Sequence, residues 1–139
     1  MWLLDTCVVS EMRKAPTGGA NTQVMAWFED RPLNQLYLSA VTVKELVLGV
    51  LLIERRDHDQ GQALRRWLDL LLEEFADRTL PIDAAIAQQA ACLHVPDPAP
   101  ENDAYIAATA LVHRLGLVTR NTSDFAGFAG LSLLNPWEA

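Results

Sequence analysis

The chain opens with Met1-Trp2-Leu3-Leu4-Asp5-Thr6-Cys7-Val8-Val9-Ser10-Glu11, in which a short apolar run leads into an acid and then into a helix-forming segment. The run from Trp2 to Asp5 predicts a strand. Thr6 and Ser10 can start a helix, which must stop before Pro16-Thr17-Gly18-Gly19. This first unit predicts a fold in which strands and helices alternate, with Asp5 at the joint between the two.

The same alternation continues along the rest of the sequence. The segment 95–100 must be a loop, because its three prolines exclude a helix interior or a central strand. Strands that alternate with helices predict an α/β fold, with a mostly parallel central sheet, helices on both faces and a single domain over residues 1–139. Helices are expected at about 21–28, 41–56, 62–75, 83–94 and 105–115, the last closed by Gly116, and strands at 36–38, 79–82, 117–119 and 131–134.

The composition fits a folded domain without disulfides or structural zinc. Half of the 139 residues are apolar, which is enough for a core at this length. Cys7 and Cys92 are the only cysteines, and neither has partners at the spacing of a zinc site. No segment approaches the ~18 uncharged apolar residues of a membrane span, and no export signal is visible. We therefore expect a cytoplasmic protein with reduced thiols.

The net charge of −7 argues against binding of nucleic acid, because proteins that hold phosphates usually present a basic surface. This objection weakens if several acids share a metal site, since a bound divalent cation reverses the local charge where a phosphate would approach. The basic residues are mostly arginines, and four fall close together: Arg55, Arg56, Arg65 and Arg66.

Four acids occupy positions where this topology favours a functional site. Asp5 ends the first strand and Asp124 follows the strand at 117–119, so both belong to the carboxyl edge of the sheet, where parallel α/β folds place their sites. Asp103 opens a helix whose alanines allow close packing on the sheet. The fourth acid, Glu45, shares a helix face with apolar or small residues: Val41, Leu48, Gly49 and Leu52.

Each acid also has a purely structural explanation. Asp5, Asp103 and Asp124 all suit a helix cap or a first helical turn, where the helix dipole favours an acid. Glu45 could reach solvent or pair with an arginine. The coincidence of all four at one sheet edge favours a joint function, because two carboxylates ~4 Å apart repel by about 4 kcal/mol at an effective dielectric of ~20. Such a cluster needs cations, and oxygen ligands select Mg²⁺ or Mn²⁺.

Four segments of the sequence carry a family resemblance. They are Leu4-Asp5-Thr6-Cys7-Val8-Val9-Ser10-Glu11; Leu38-Ser39-Ala40-Val41-Thr42-Val43-Lys44-Glu45-Leu46 followed by Gly49; Asp103-Ala104-Tyr105-Ile106-Ala107-Ala108-Thr109-Ala110; and Thr119-Arg120-Asn121 with Asp124-Phe125. In this order and spacing they resemble the motifs of the PIN domains, and within that family the VapC-like toxins, most closely the FitB subgroup. The terminal Asn135-Pro136-Trp137 is also typical of FitB-like members, so the resemblance covers nearly the whole chain.

The resemblance implies a PIN-like three-layer α/β/α sandwich and a Mg²⁺-dependent endoribonuclease, the toxin of a VapBC-type toxin–antitoxin pair. Mg²⁺, or Mn²⁺ in its place, would activate a water and stabilise the charge on a scissile RNA phosphate. Cys7 stands where the family most often has asparagine, so we expect altered hydrogen bonds around the ligands and weaker metal binding. The implied metal ligands are Asp5, Glu45, Asp103 and Asp124, with Thr6 and Thr119 lining the site.

Two other interpretations stay open. A phospho-acceptor domain of the receiver type is also doubly wound, but it requires an acidic pair after the first strand and a lysine after the last, and the sequence has neither. A PIN-shaped binding module of weak activity, or an antitoxin-bound regulatory protein, is the other; Cys7 and the acidic charge favour it, and the four acids argue against it. The proline-rich loop before Asp103 is atypical of the family, so the resemblance leaves the roles of Asp97 and Glu101 open.

The segment Leu46–Ile53 is apolar around its whole circumference, which is more than a helix on a sheet needs. It could lie buried beneath the helix at 62–75, or it could form with that helix a groove for an amphipathic peptide. The resemblance implies that an antitoxin occupies such a groove and that the toxins form homodimers, with heterotetramers or larger assemblies on DNA. We therefore expect partner contacts at Leu48, Leu52 and Trp67.

Overall fold

Five parallel strands form the centre of the molecule, which a computed structural model describes over residues 1–139. The order across the sheet is third, second, first, fourth, fifth, so the first strand is central. The parallel sheet expected from the sequence is therefore confirmed. The strands are β1 (Trp2–Leu4), β2 (Leu36–Ser39), β3 (Thr79–Leu80), β4 (Gly116–Val118) and β5 (Leu133–Leu134).

Seven helices and three short 3-10 turns connect the strands. No helix is both long and apolar enough to cross a membrane. The 3-10 turns are Ala15–Thr17, Leu33–Gln35 and Ala76–Arg78. The helices are α1 (Thr6–Met12), α2 (Thr22–Glu29), α3 (Ala40–Arg56), α4 (His58–Glu74), α5 (Ala84–Leu93), α6 (Glu101–His113) and α7 (Thr122–Phe125).

The helices cover both faces of the sheet, because successive residues of a strand point to opposite sides. Leu4 of β1 joins an apolar cluster with residues of α1, α2, α3 and α4. Leu3, its neighbour, joins a second cluster with Ile106 of α6 and Phe125 of α7. The three-layer α/β/α arrangement expected for this chain is confirmed by these two cores.

Helix α4 begins four residues earlier than the sequence pattern predicts. The expected start was Gln62, but the helix begins at His58 because the Asp57 carboxylate accepts a hydrogen bond from the Gln60 backbone N–H at 3.1 Å. Gly61 lies inside the helix. A Cβ at that position would stand 2.5 Å from the Glu54 Cα atom, so glycine there permits the close approach of α3 and α4.

Helix α6 also differs from the expected range of 105–115. It begins at Glu101 and ends at His113, with Arg114 at φ 56° in the left-handed conformation. Gly116 is therefore not the helix stop but the first residue of β4. A Cβ on Gly116 would meet the Trp2 ring at 2.5 Å, so the glycine serves the contact between β4 and β1.

Helix α3 is buried along one side only. Leu46 and Val50 are buried in the first core, whereas Leu48 and Leu52 are 49% and 56% exposed. The apolar circumference of this segment is thus explained in part by packing beneath α4. Its remaining side, with Leu48 and Leu52, faces solvent in the single chain.

Candidate active site

Asp5 is held at the carboxyl edge of the sheet by β1 and α1. Its backbone N–H continues the strand pairing by donating to the Val118 carbonyl at 2.9 Å. Its carboxylate accepts hydrogen bonds from the Thr6 backbone N–H at 2.8 Å and from the Thr119 hydroxyl at 2.7 Å. Asp5 is also the N-cap residue of α1. The capping role and the candidate catalytic role therefore fall on one side chain, and its two oxygens are separately oriented.

Thr119 is oriented from both sides. Its hydroxyl oxygen accepts a hydrogen bond from the Asn121 backbone N–H at 3.0 Å, while its hydrogen is given to Asp5. The side chain is fully buried. It thus fixes one carboxylate oxygen of Asp5 in place.

Glu45 reaches the same edge from the second turn of α3. The Thr6 hydroxyl donates to its carboxylate at 2.7 Å, and the same hydroxyl lies 3.2 Å from that of Thr42. Glu45 is half-buried. The apolar face that Glu45 shares is not buried around it, because Leu48 and Gly49 are exposed. What holds Glu45 is the hydroxyl of Thr6.

Asp103 lies in the first turn of α6, where the negative charges of the other three acids act on it. Partial burial raises the pKa of its carboxyl, and the charges of Asp5, Asp124 and Glu45 raise it further. No basic side chain contributes to this shift. The structure therefore brings the four acids close enough to act on Asp103 electrostatically, and no basic side chain offsets them there.

Asp124 is the most accessible of the four acids. It lies inside the short helix α7, which follows Asn121, so it does not cap a helix running to Phe128. Its side chain is exposed. It stands on the side of the site that faces the proline-rich loop, whose cleft it lines.

Cys7 packs directly behind Asp5. Its sulfur lies 3.6 Å from an Asp5 carboxylate oxygen and 3.9 Å from the Thr119 hydroxyl. Burial raises the pKa of the Cys7 thiol, and the negative charge of Asp5 raises it further. The thiol therefore stays protonated at neutral pH and offers Asp5 only a weak sulfur donor, where asparagine would offer an amide.

Three basic side chains near the sheet edge or on the neighbouring helices have partners other than the four acids. Lys44 donates to the Asn102 side chain at 3.3 Å, and Arg65 pairs with Glu54 at 2.9 Å on the α3–α4 surface. Arg120 lies 5.0 Å from the centre of the Trp137 ring. The arginine group at 55–66 is therefore a feature of helices α3 and α4 and not of the acid edge.

The donor set at the acid edge suits a hard divalent cation. No three acidic, histidine or cysteine side chains form a ready-made ligand cage, although the four carboxylates act on one another electrostatically. Mg²⁺ keeps several waters and binds through one or two carboxylates with substrate phosphates, so it needs no closed cage of side chains.

Two residues of the site have no counterpart in the sequence argument. Thr42 touches the Thr6 hydroxyl, and it lies one helical turn before Glu45, a spacing that could have drawn notice. Glu11 is buried and accepts hydrogen bonds from Lys14 at 3.1 Å and from the Asn21 backbone N–H at 3.2 Å. Glu11 therefore ties α1 to α2 and supports the helix that presents Thr6 and Cys7.

The three residues expected to contact partners lie on two surfaces. Leu48 and Leu52 are exposed on α3. Trp67 instead lines a hollow of about 360 Å³ between α4 and the end of α1, together with Leu64, Arg13 and Lys14. No hollow joins the two leucines to Trp67, so the single groove expected from the sequence is not formed in the isolated chain.

Known proteins resemble this chain over its full length. The PIN domain matches residues 2–131. VapC ribonuclease Y4jK of Sinorhizobium fredii is 38% identical over 146 residues, and Toxin FitB of Neisseria gonorrhoeae is 39% identical over 144 residues; each match covers 99% of both chains. The crystal structure of FitAcB from Neisseria gonorrhoeae superposes with a TM-score of 0.89 at 36% identity, covering 100% of both chains. The chain therefore belongs to the PIN domain family and is similar, within it, to the VapC-like toxins close to FitB.

Proposed function

We propose that this chain is a Mg²⁺-dependent endoribonuclease and the toxin of a VapBC-type toxin–antitoxin pair, acting in the cytoplasm as one domain. The observation that carries the proposal is the gathering of Asp5, Glu45, Asp103 and Asp124, whose charges act on one another with no basic side chain contributing to the pKa shift of Asp103. The family membership and a relative named as a ribonuclease support the same activity.

Asp5, Glu45, Asp103 and Asp124 would hold the metal. When bound, Mg²⁺ or Mn²⁺ would lower the pKa of a water and stabilise the charge that develops on the scissile phosphate. The chain's own contribution is orientation. Thr119 and the Thr6 backbone fix the two oxygens of Asp5, and the Thr6 hydroxyl fixes Glu45, so these ligands lose little freedom on binding.

The site also explains why an acidic protein can cleave an anionic substrate. The acid edge by itself repels RNA phosphates, and no basic side chain is among the charges that shift the pKa of Asp103. With a divalent cation the sign of the local field reverses where the phosphate must approach. RNA binding at this edge is therefore expected to depend on the metal as strongly as hydrolysis does, and the products are expected to carry a 5′-phosphate and a 3′-hydroxyl.

The test is a metal titration with a labelled single-stranded RNA. Cleavage is expected with Mg²⁺ or Mn²⁺ and not with EDTA, and Asp5→Asn should lower it by more than the ~10–100-fold that loss of an outer-shell partner of a metal costs. Asp69→Asn makes the same chemical change on the exposed side of α4 and should leave the rate unchanged. Wild-type activity in Asp5→Asn would overturn the assignment.

A PIN-shaped binding module of weak activity is the second candidate, and Cys7 in place of the usual asparagine is what favours it. It predicts RNA or antitoxin binding without hydrolysis at any metal concentration. The same titration, followed by both product formation and RNA retention, separates the two candidates.

The antitoxin and a second copy of the chain are the proposed protein partners. Leu48, Leu51 and Leu52 form an exposed apolar strip on α3, and each is about half exposed. Exposed apolar surface of this kind marks a contact site more often than a free surface when it is contiguous. Trp67 and its hollow beside Lys14 form a second candidate contact for the antitoxin peptide.

A further inference from the structure

A cleft lies between the proline-rich loop and the turn after α7, next to the acid edge. Its volume is about 290 Å³, and its walls include Pro96, Pro98 and Pro100 of the loop, Phe128 opposite them, and the acids Asp97 and Asp124. We call it the proline cleft. Asp124 belongs to both regions, since its charge also acts on Asp103. The cleft therefore shares one residue, Asp124, with the candidate metal site.

Both walls of the proline cleft are fixed before any ligand arrives. The Ala99 backbone N–H donates to Nδ1 of His94 at 3.1 Å, which ties the loop back to the end of α5. The loop prolines have little backbone freedom to lose. On the other side the Phe128 ring packs edge-to-face on the buried Phe125, with the ring centres 6.1 Å apart. A preformed cleft binds its ligand without an ordering cost.

The lining selects an uncharged, flat ligand over an anionic one. No lysine or arginine lines the cleft, and two carboxylates do, so a phosphate group would be repelled. Its volume is at the lower end of the ~300–1,000 Å³ typical of small-ligand pockets. Unpaired RNA bases are recognised by this combination of apolar or aromatic stacking and hydrogen bonds to the base edge.

Asp97 adds a preference among the bases. An ionised carboxylate only accepts hydrogen bonds, so it pairs with the exocyclic amino groups of cytosine, adenine or guanine. Uracil has no amino group, and its one donor on that edge, the N3–H, lies between two carbonyl oxygens that a carboxylate repels, so uracil is the least favoured base.

We propose that the proline cleft is a nucleobase subsite, in which an unpaired base beside the scissile phosphate lies between Phe128 and the loop prolines with its amino group towards Asp97. The inference rests on the proposed function, because the ligand is the RNA substrate itself. It assigns the proline-rich loop a role in choosing where the RNA is cut.

The first test measures which base is accepted beside the cleavage site. Wild-type protein is given RNA oligonucleotides randomised on both sides of one position, with Mg²⁺ or Mn²⁺, and the products are sequenced. Wild type should disfavour uracil at one neighbouring position. Asp97→Asn should reduce that discrimination about 10-fold, because an amide can also donate to uracil. Asp69→Asn on α4 is the matched control and should keep the wild-type preference.

The second test measures how much the Phe128 ring contributes to RNA binding. Phe128→Leu should raise KM about five-fold or more with every base, the lower end of base–aromatic stacking. Phe128→Tyr keeps the ring and should stay close to wild type. Phe28→Leu removes a similarly half-buried ring on α2 and serves as the control. Circular dichroism melts show that each variant is folded at the assay temperature.

A readout without catalysis completes the test. Fluorescence anisotropy uses wild-type protein with Mg²⁺ and a labelled RNA tetranucleotide that carries a non-hydrolysable phosphonate at the cleavage position. One abasic position beside the phosphonate should weaken binding about five-fold or more, and equal affinity for the abasic and complete RNA would overturn the subsite. If wild type cleaves RNA but Asp97→Asn and Phe128→Leu keep its base preference and KM, the subsite is wrong and the nuclease stands. If wild type cleaves no RNA with either metal, both proposals are wrong.

Discussion

At the residue scale, Asp5 and Asp103 are both candidate ligands, but the fold treats them differently. Asp5 is an N-cap with two short hydrogen bonds, whereas Asp103 meets the repulsion of its neighbours and has no hydrogen bond of its own. A carboxylate that repels its neighbours supports function and not stability. Asp5 shows that one acid can serve both.

This difference predicts opposite stability effects in EDTA. The pKa of Asp103 is raised in the folded state, so its contribution to stability is fully present below the unfolded pKa and is lost as pH rises through the folded pKa. Asp103→Asn removes that loss and should melt higher than wild type at pH 7, with a smaller gain at pH 4. Asp5→Asn should show no such gain, and Asp5→Ala should lose about 1 kcal/mol with its cap. Thermal melts in EDTA across this pH range measure all three, and equal pH dependence in wild type and Asp103→Asn would contradict the account.

Cys7 gives a second prediction at this scale. Cys7→Asn replaces a weak sulfur donor by an amide beside Asp5, so Mg²⁺ should bind more tightly, within the ~10–100-fold range of outer-shell changes. Isothermal titration with Mg²⁺ or Mn²⁺ measures the change, and Cys92→Asn on the exposed side of α5 is the control. Equal affinity in Cys7→Asn and wild type would mean that Cys7 only fills space.

The four candidate ligands could be proposed from the sequence because two of them follow strands of a parallel sheet and all four lie in motifs of the resembled family. Their hydrogen-bond partners could not. The bond from Thr6 to Glu45 joins residues 39 positions apart, and its geometry depends on how α1 and α3 pack. The apolar face of α3 that carries Glu45 is exposed at Leu48 and Leu52 for the same reason. Helical periodicity shows that a face is apolar but not what covers it.

At the element scale, the existence and order of the strands and major helices followed from periodicity, while several boundaries did not. Helix α4 begins at His58 because the Asp57 cap outweighs the helix-breaking tendency of Gly61. Helix α6 ends at His113 and is followed by Arg114, which takes a left-handed conformation that sequence patterns assign to glycine. Gly116 serves a contact with Trp2, and such contacts between distant residues have no local signature.

Two helical glycines provide a matched prediction. Gly61→Ala would bring a Cβ within 2.5 Å of the Glu54 backbone, so the helices must separate, at a cost of ~1–3 kcal/mol that exceeds the ~1 kcal/mol gained in helix propensity. Gly49→Ala meets no atom within 4 Å and should stabilise the protein by up to ~1 kcal/mol. Urea unfolding measures both. Stabilisation by Gly61→Ala would mean that α3 and α4 are not in close contact there.

At the scale of the whole molecule, the structure leaves one apolar surface uncovered. Leu48, Leu51 and Leu52 recur at helical spacing on the solvent side of α3, while Leu46 and Val50 of the same helix are buried. Burial of these three half-exposed leucines against a partner would contribute about 25 cal/mol for each Å² removed from water. Leu52 lies seven residues, about two helical turns, beyond Glu45 on α3, so a change there alters partner binding more than it alters the metal ligands.

Leu48→Asp and Leu52→Asp are therefore expected to weaken the homodimer or the antitoxin complex more than they lower the melting temperature of the isolated chain or its Mg²⁺ affinity. The reason is exposure: an aspartate at a half-exposed position keeps its water, but the same charge placed in an apolar contact loses it at a cost of several kcal/mol. Light scattering gives the mass of each variant, and co-expression with the small protein encoded beside it gives the complex. Val50→Asp, on the buried side of the same helix, should instead unfold the chain. If wild type is monomeric and retains no small partner, the leucine surface is not a partner-binding site. If the two leucine variants lose as much Mg²⁺ affinity as partner affinity, the leucine surface and the acid edge are coupled.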